Sequence, residues 1–377
     1  MRSLSALSFA AGCTSKGNPW VSPDGGSGRG PDLAGADLAT PPSADLALPA
    51  GSRRRLRRFV PHPMRRRAGV PPRRRLPELL MGAGNGTFAP VVNVNTTGAP
   101  WQIAIGDVNG DGRPDLAAAD EAGDGAIILL NQGKGAFNGG QSFATGGAGA
   151  GPFADVNGDG KLDLLGANNS DSTFGVALGN GNGTFQAPLP SLAFSGAAHL
   201  ATADFNGDGK MDVVVVSNFG GGTEVYQGMG NGVFTGVANL ATGGQTRAVA
   251  VGDFNRDNKP DIVVADINGS DVSVILNLGN SMFAQPVHYP AGGGTRWLAV
   301  ADFDRDGLLD VAAGDSGQAD LAVLRGQGNG TLAPAAFFAL PSTTDAITVG
   351  DFNGDGLPDV AAVCDTGVVA VLPNTSH

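Results

Sequence analysis

A nine-residue acidic motif that recurs about every 49 residues constrains the fold of this chain more than any other feature. The first copy reads Asp107-Val-Asn-Gly-Asp-Gly-Arg-Pro-Asp115. The leading aspartates of successive copies are 48, 49, 49, 49 and 49 residues apart, and the six copies span residues 107–115, 155–163, 204–212, 253–261, 302–310 and 351–359. A constant period of this length indicates one structural unit repeated along the chain.

A second, glycine-rich motif recurs in phase with the acidic one. It reads Gly-Asn-Gly-Thr-Phe in its most regular copies, and the six copies span residues 84–88, 133–137, 181–185, 230–234, 279–283 and 328–332. Glycine and asparagine are typical of tight turns. The chain contains 61 glycines, and this turn chemistry explains most of that excess.

Four short apolar runs occur in each period and predict four β-strands. One run, such as Ile103–Ile105, leads into the acidic motif, and a second, such as Val213–Val216, leaves it. A third run, such as Val272–Leu276, follows a polar turn, and a weaker fourth, such as Val91–Val94, follows the glycine turn. Four strands per 40–50 residues are typical of a propeller blade. The sequence therefore predicts an all-β propeller of six four-stranded blades.

The two ends of the repeat region predict how the ring closes. The region begins near Leu80, just before a glycine turn, and ends near Asn374, just before the next such turn would occur. The cut therefore falls between the third and fourth strands of a blade. We expect the N-terminal segment to supply the outer strand of the blade formed by the C-terminus, because closure protects sheet edges. The predicted domain spans residues 81–377.

The first 80 residues differ in composition from the repeats. Residues 1–19 are predicted to be a short signal segment, similar to a truncated lipoprotein signal with Cys13 as the lipidated residue. Residues 20–80 are predicted to be a linker, first rich in Pro, Gly and Ala and then, over 53–75, in Arg without acids. The Arg-rich stretch is interpreted as a solvated basic tail. Alternatives are an anionic-surface patch or an out-of-frame translation, which resequencing the gene would decide.

The acidic motifs have the chemistry of a cation site. Aspartate occupies positions 1, 5 and 9, and asparagine or aspartate occupies position 3. Oxygen-only ligands suit Ca²⁺. Without a cation, such closely spaced carboxylates would repel one another and raise their pKa values.

Two other interpretations of these motifs were weighed. An EF-hand needs a glutamate at position 12 between two helices. Position 12 is apolar or glycine in all six copies, which excludes that class. Metal-free turns are the second alternative. Nineteen of the 30 acids in residues 81–377 fall inside the motifs, which argues against it.

The motifs resemble the FG-GAP, or VCBS-type, repeats that build the β-propeller of integrin α subunits and of many bacterial surface proteins. The resemblance rests on Asp-Phe-Asn-Gly-Asp-Gly-x-x-Asp at 204–212 and 351–359 and on Leu-Gly-Asn-Gly-Asn-Gly-Thr-Phe at 178–185, and it covers residues 81–374. It implies up to six Ca²⁺ ions, one in each hairpin loop between the first two strands of a blade. The implied ligands are Asp107, Asn109, Asp111, Asp115, Asp155, Asn157, Asp159, Asp163, Asp204, Asn206, Asp208, Asp212, Asp253, Asn255, Asp257, Asp261, Asp302, Asp304, Asp306, Asp310, Asp351, Asn353, Asp355 and Asp359.

Two motifs and the number of repeats depart from the family pattern. The fourth motif has Arg256 and Asn258 where glycine is usual, which is expected to place basic charge near its ion. The fifth has Arg305 for glycine, although Asp304 adds a carboxylate. Integrin-like propellers usually have seven blades, so a seventh blade within residues 32–80 is the alternative to six.

Function is expected to reside on the face opposite the acidic loops, where the entries to the inner strands are free to vary. A protein- or glycan-binding site is predicted there, against the alternative of loop residues without a role; the candidates are Trp101, His199, Arg247, Arg296, Trp297 and Asp345. The chain is therefore interpreted as a calcium-binding adhesion or ligand-binding module, outside the cell or on its surface. The alternatives are a purely structural surface scaffold or a glycan-active enzyme.

The charge of the repeat region and its lack of catalytic motifs argue against two classes of function. Residues 81–377 carry 30 acids but only 10 of the 24 Lys and Arg residues, so nucleic acid is not expected as a partner. The four histidines occur in no metal or triad motif, and no Gly-x-Ser-x-Gly elbow is present, so an enzyme is not expected. Cys364 is interpreted as a buried core thiol. We expect a monomer whose only cofactor is Ca²⁺.

Overall fold

The computed structural model describes residues 78–80, 82, 88, 92–93, 100–120, 125–138, 140–144, 151–168, 172–190, 192–219, 222–243, 245–366 and 368–375. The predicted signal segment 1–19 with Cys13 lies outside the described residues, and so does the predicted linker 20–80 apart from its last three residues. Regular structure in the described residues is all β. They contain no helix that could span a membrane.

The strands follow the repeats, and the first three blades come from the N-terminal half of the repeat region. An N-terminal pair consists of β1 (Glu78–Leu79) and β2 (Val92–Asn93). Blade one contains β3 (Pro100–Gly106), β4 (Asp115–Asp120), β5 (Gly125–Leu129), the small hairpin β6 (Asn131–Gly133) and β7 (Ala136–Phe137), and β8 (Gln141–Ala144). Blade two contains β9 (Phe153–Ala154), β10 (Asp163–Asn168), β11 (Thr173–Ala177) and β12 (Leu192–Ala193). Blade three contains β13 (Ala197–Ala203), β14 (Asp212–Ser217), β15 (Thr223–Gly228) and β16 (Phe234–Leu240).

The last three blades repeat this order. Blade four contains β17 (Thr246–Gly252), β18 (Asp261–Asp266), β19 (Asp271–Ile275), the small hairpin β20 (Asn277–Gly279) and β21 (Met282–Phe283), and β22 (Val287–Pro290). Blade five contains β23 (Thr295–Ala301), β24 (Asp310–Asp315), β25 (Asp320–Leu324) and β26 (Ala336–Ala339). Blade six contains β27 (Thr344–Gly350), β28 (Asp359–Cys364) and β29 (Val369–Leu372).

Each blade is an antiparallel sheet whose strands lie in chain order, with β3, β9, β13, β17, β23 and β27 innermost. The six sheets form a six-bladed β-propeller, which confirms the predicted fold class. Each acidic motif is the loop between the first and second strands of its blade, so the strand-loop-strand interpretation was right and the EF-hand was rightly excluded.

The hydrophobic core lies between neighbouring blades. The run Val213–Val216 in β14 is completely buried because neighbouring blades cover both faces of the strand. Val213 and Val215 pack toward blade two, whereas Val214 and Val216 pack toward blade four. This two-sided burial explains why the second strands are continuous apolar runs and do not alternate with polar residues.

Residues from both ends of the repeat region meet in blade six. Leu80 and Phe88 pack against the core of this blade together with Phe352 and Val371. The rings of Phe88 and Phe352 meet edge to face with centroids 6.0 Å apart. Strand β1 pairs with β2, and β27–β28–β29 form the rest of the blade within the described residues. The N-terminal segment therefore contributes to the blade built by the C-terminus.

Candidate functional site

The aspartate at position 9 of each acidic loop is buried and fastens the loop to its blade. In loop four, Asp261 accepts hydrogen bonds from the backbone N–H groups of Phe254, at 2.9 Å, and of Asn277, at 2.8 Å. Two backbone donors, one inside the loop and one at or just after the end of the third strand, bind the equivalent aspartate in every blade. Burial raises the pKa of Asp261 to about 6 despite these hydrogen bonds. Sequence reasoning identified this residue only as a ligand and missed its structural role.

The aspartate at position 1 organises the turn. In loop three, Asp204 accepts hydrogen bonds from the backbone N–H groups of Gly207 at 2.7 Å, Asp208 at 3.1 Å and Gly209 at 2.7 Å. The glycines at positions 4 and 6 have φ of 78° and 80°, a region open to glycine. The position 3 side chain, Asn206, also accepts from the N–H of Asp208 at 2.8 Å. The loop is thus folded around the side chains expected to bind a cation.

The aspartate at position 5 is exposed, and in three loops it forms an ion pair with a basic side chain of the same loop. Ion pairs join Asp111 to Arg113 at 3.5 Å, Asp159 to Lys161 at 3.2 Å and Asp257 to Lys259 at 2.8 Å. The backbone N–H of Lys161, and then its side chain, hold the pKa of Asp159 below its usual value. The sequence carried a signal for these ion pairs, since position 7 is Arg or Lys in loops one to four.

Loop five brings three carboxylates together. Asp302, Asp304 and Asp310 each offer an oxygen, and these oxygens all lie within 4.8 Å of one another. Burial raises the pKa of Asp310 to about 7 and also raises the pKa of Asp302. Arg325, which the sequence did not single out, places its Nη1 3.7 Å from Asp304 Oδ2.

The three carboxylates of loop five fit a calcium ion. Ca²⁺ lies 2.3–2.6 Å from its oxygen ligands, so two ligands of one ion are at most about 5 Å apart. The oxygens of Asp302, Asp304 and Asp310 meet this limit. Asp306, at position 5, is not part of the cluster. In the other five loops position 3 is asparagine, and the four ligands assigned to each loop stay a prediction.

The two arginines that replace glycine reach the neighbouring blade. Arg256 of loop four donates from Nη2 to the carbonyl of Gly307 in loop five at 2.9 Å. Arg305 of loop five donates in the same way to Gly356 in loop six at 2.6 Å. Each guanidinium therefore contacts the next loop along the chain, whereas the sequence predicted for Arg256 that its charge would lie near the ion of its own loop.

The acidic loops also contact the glycine turns of neighbouring blades. The N–H of Gly183 donates to the carbonyl of Val108 at 3.0 Å, and Gly232 and Gly330 contact Val156 and Phe254 in the same way. Each acceptor is position 2 of an acidic loop, and each donor lies in the glycine turn of the following blade. The two repeated motifs therefore form one interface between blades.

The candidates for ligand binding lie on the innermost strands. His199 is in β13, Arg247 in β17, Arg296 and Trp297 in β23, and Asp345 in β27. Trp101 lies in β3, but its side chain is outside the described residues. His199 and Arg247 interact electrostatically, and so do Arg247 and Arg296, so these three side chains are neighbours around the axis. Their role in binding stays a prediction.

Comparison with known proteins agrees with this geometry. The fold is a six-bladed propeller with one acidic loop per blade. A family model described as an FG-GAP-like repeat matches residues 77–118, 155–215, 204–264, 253–313 and 302–362. The chain belongs to this family, which confirms the resemblance found in the sequence. No curated protein matches the chain.

Solved structures of similar fold are distant in sequence. One is an Agrocybe aegerita lectin described as recognising non-reducing terminal N-acetylglucosamine, with TM-score 0.52 and 19% identity over 80% of this chain and 91% of the lectin. Another is BBS1N in complex with ARL6DN, with TM-score 0.50 and 14% identity over 77% and 83% of the two chains. A protein of unknown function from Desulfotomaculum acetoxidans gives TM-score 0.52 and 12% identity over 76% and 88%. At these identities the likeness extends to the fold alone.

Proposed function

We propose that this chain is a calcium-stabilised β-propeller that works outside the cell as a ligand-binding module. The observation that carries the proposal is loop five, where Asp302, Asp304 and Asp310 place three carboxylate oxygens within 4.8 Å of one another. Three carboxylates held this closely repel one another unless a cation or protons intervene. A divalent cation with oxygen ligands meets that requirement at neutral pH.

Calcium supports the fold where disulfides do not. Cys364 is a free buried thiol, so it forms no crosslink. Extracellular modules bind Ca²⁺ with dissociation constants of about 10⁻⁴–10⁻³ M, close to the concentrations found outside cells. Binding to the folded state alone raises its stability in proportion to the logarithm of the free calcium concentration. We expect an exported protein, with a lipid anchor at Cys13 as one way of holding it at the surface.

Ligand binding is proposed because the residues at the entries to the inner strands differ between blades, whereas the acidic loops keep the same pattern in every blade. Position six before the leading aspartate is Arg247 in blade four, Arg296 in blade five and Asp345 in blade six. A scaffold needs no such variation. The lectin of similar fold supports a glycan as one class of ligand, and the BBS1N complex supports a protein as another. The chain is proposed to act by binding and not by catalysis.

The test is thermal unfolding of the full chain in excess EDTA, followed by addition of calcium. The proposal expects the melting temperature to fall in EDTA and to return with Ca²⁺, with Mg²⁺ a poor substitute because it demands a smaller octahedral site. A melting temperature that is the same in EDTA and in calcium would refute the calcium-stabilised module. A glycan array and a pull-down with calcium present then address the ligand; if both stay negative while calcium stabilises, the purely structural scaffold replaces the binding module.

A further inference from the structure

Two arginines lie side by side on the innermost strands of adjacent blades. Arg247 and Arg296 occupy equivalent positions in the innermost strands β17 and β23 of adjacent blades. Among the described residues no carboxylate lies within ion-pair distance of either guanidinium. Burial, and then the charge of Arg296, lower the pKa of Arg247. Guanidinium groups stay charged in proteins, so this pair calls for an anion.

Other polar groups on the innermost strands also lack partners. In the described part of the chain, Nδ1 of His199, Nε of Arg296, Nε1 of Trp297 and Oε1 of Gln102 are buried and make no hydrogen bond. Gln102, His199 and Trp297 are equivalent, each five residues before the leading aspartate of its loop. A buried polar group without a partner costs about 1–3 kcal/mol. Four such atoms on three inner strands are unusual for a site with only a structural role.

The unpartnered groups include both donors and acceptors. Trp297 Nε1 and Arg296 Nε donate, whereas Gln102 Oε1 accepts. His199 is neutral near pH 7, because burial and the charge of Arg247 lower its pKa to about 4, so its ring offers one acceptor nitrogen. An inorganic oxyanion without a proton, such as sulfate, only accepts hydrogen bonds and leaves the acceptor atoms of the site without a donor. A hydroxylated carboxylate satisfies the arginines with its charge and the acceptors with its hydroxyl groups.

We propose that the side chains of Gln102, His199, Arg247, Arg296 and Trp297 form an axial site for the carboxylate of an acidic sugar. This inference rests on the proposed ligand-binding function and specifies the chemical class of ligand. The two guanidinium groups hold the carboxylate, since their planar donors match its geometry. The unpartnered atoms are shielded from solvent, so binding of the sugar requires their side chains to turn toward its hydroxyl groups.

The experiment is isothermal titration of the full chain, in calcium, with D-galacturonate, D-galactose and sulfate. Galactose is matched to galacturonate in shape but lacks the carboxylate, and sulfate carries charge but no hydroxyl group. We expect galacturonate to bind and galactose and sulfate to bind at least ten-fold more weakly. Binding of galactose as tight as that of galacturonate, binding of sulfate as tight, or no heat with galacturonate would each overturn the proposal.

Variants locate the site. Arg247→Gln and Arg296→Gln are expected to weaken galacturonate binding at least ten-fold each, and the double variant to abolish it. Lys134→Gln removes an exposed cation from the β6–β7 hairpin and is expected to leave binding unchanged. Arg247→Lys and Arg296→Lys keep the charge but lose the planar fork, so several-fold weakening with an unchanged melting temperature is expected even if the glutamine variants fail to fold. Affinity that is the same in all arginine variants would place the site elsewhere.

Failure of this inference is distinguishable from failure of the calcium-stabilised module. If the chain has a higher melting temperature in calcium than in EDTA but does not bind galacturonate, only the axial site is refuted. A chain that binds galacturonate through Arg247 and Arg296 but melts alike in EDTA and calcium keeps the axial site and eliminates the calcium role.

Discussion

Arg256 Nη2 donates a hydrogen bond to the carbonyl oxygen of Gly307 at 2.9 Å and so joins loop four to loop five. The arginine adopts φ of 62°, a region that non-glycine residues rarely occupy. Arg305 repeats both features one blade further, with φ of 58° and a bond to Gly356. Substituting arginine for glycine therefore costs local backbone energy and gains a contact between blades.

Arg256→Met is expected to lower the free energy of unfolding by about 1 kcal/mol, because it removes an interblade hydrogen bond and retains the strained φ. The measurement is urea unfolding at fixed calcium. Arg113→Met is the control, since Arg113 is paired only within its own loop and is exposed. Equal effects of the two substitutions would show that the interblade bond contributes nothing.

Asp261→Asn is expected to destabilise the chain by about 2–4 kcal/mol at pH 8, because the amide presents a donor to one of two backbone N–H groups that the carboxylate now satisfies. Asp257→Asn serves as the comparison, since Asp257 is exposed at position 5 of the same loop. The free energy of unfolding of both variants is measured in EDTA, so loss of a metal ligand does not contribute to the difference. Similar stability of the two variants would contradict the anchoring role of Asp261.

Asp304→Asn is expected to weaken calcium binding at loop five about three- to ten-fold, because ligand charge sets calcium affinity and the substitution restores the asparagine of the other loops. Titration with Ca²⁺ or with luminescent Tb³⁺ measures the change. Asp320→Asn removes a carboxylate from β25, outside the acidic loops, and is the control. An unaltered titration for Asp304→Asn would remove loop five from the calcium sites.

Acid is expected to destabilise the chain through His199. Its folded-state pKa is about 4, because of burial and then of Arg247, whereas a histidine in an unfolded chain titrates near pH 6.5. Between these values the unfolded chain binds a proton that the folded chain does not, so stability falls as the pH falls from about 6.5 to about 4, by about 3 kcal/mol in total.

His199→Gln isolates this contribution. Urea unfolding of the wild type and the variant at pH 7 and pH 4 is expected to show that the wild type loses about 3 kcal/mol more than the variant. Parallel losses in the two proteins would mean that His199 is not held neutral by the fold.

Cys364 is expected to be unreactive toward a thiol reagent while the chain is folded. The residue is fully buried in β28, and burial raises the pKa of its thiol. Cys13→Ser leaves Cys364 as the sole thiol of the chain. No reaction in native buffer and one equivalent in urea are expected; rapid native labelling would contradict the packing of blade six.

The six blades and their acidic loops were predictable because their signals are local and periodic. A run such as Val213–Val216 and the loop that precedes it lie within about ten residues of one another. Contacts between blades were not predictable, since the hydrogen bond of Arg256 spans 51 residues and depends on which loop lies beside which. The backbone donors of Asp261 lie in its own blade, but Asn277 is 16 residues further along the chain, so this contact was not predictable from the local motif either. The placement of Arg247 beside Arg296 was not predictable either, because it depends on how adjacent blades are arranged in the ring.

The contact between a glycine turn and the preceding acidic loop has a consequence for how such chains lengthen or shorten. At three junctions between blades, the earlier period supplies the acceptor from its acidic loop and the later period supplies the donor from its glycine turn. Val108 and Gly183 illustrate a pair whose halves come from successive periods. A duplicated period would bring matching halves at both of its ends, so a ring of different size could arise by duplication or loss of gene segments without any new interface.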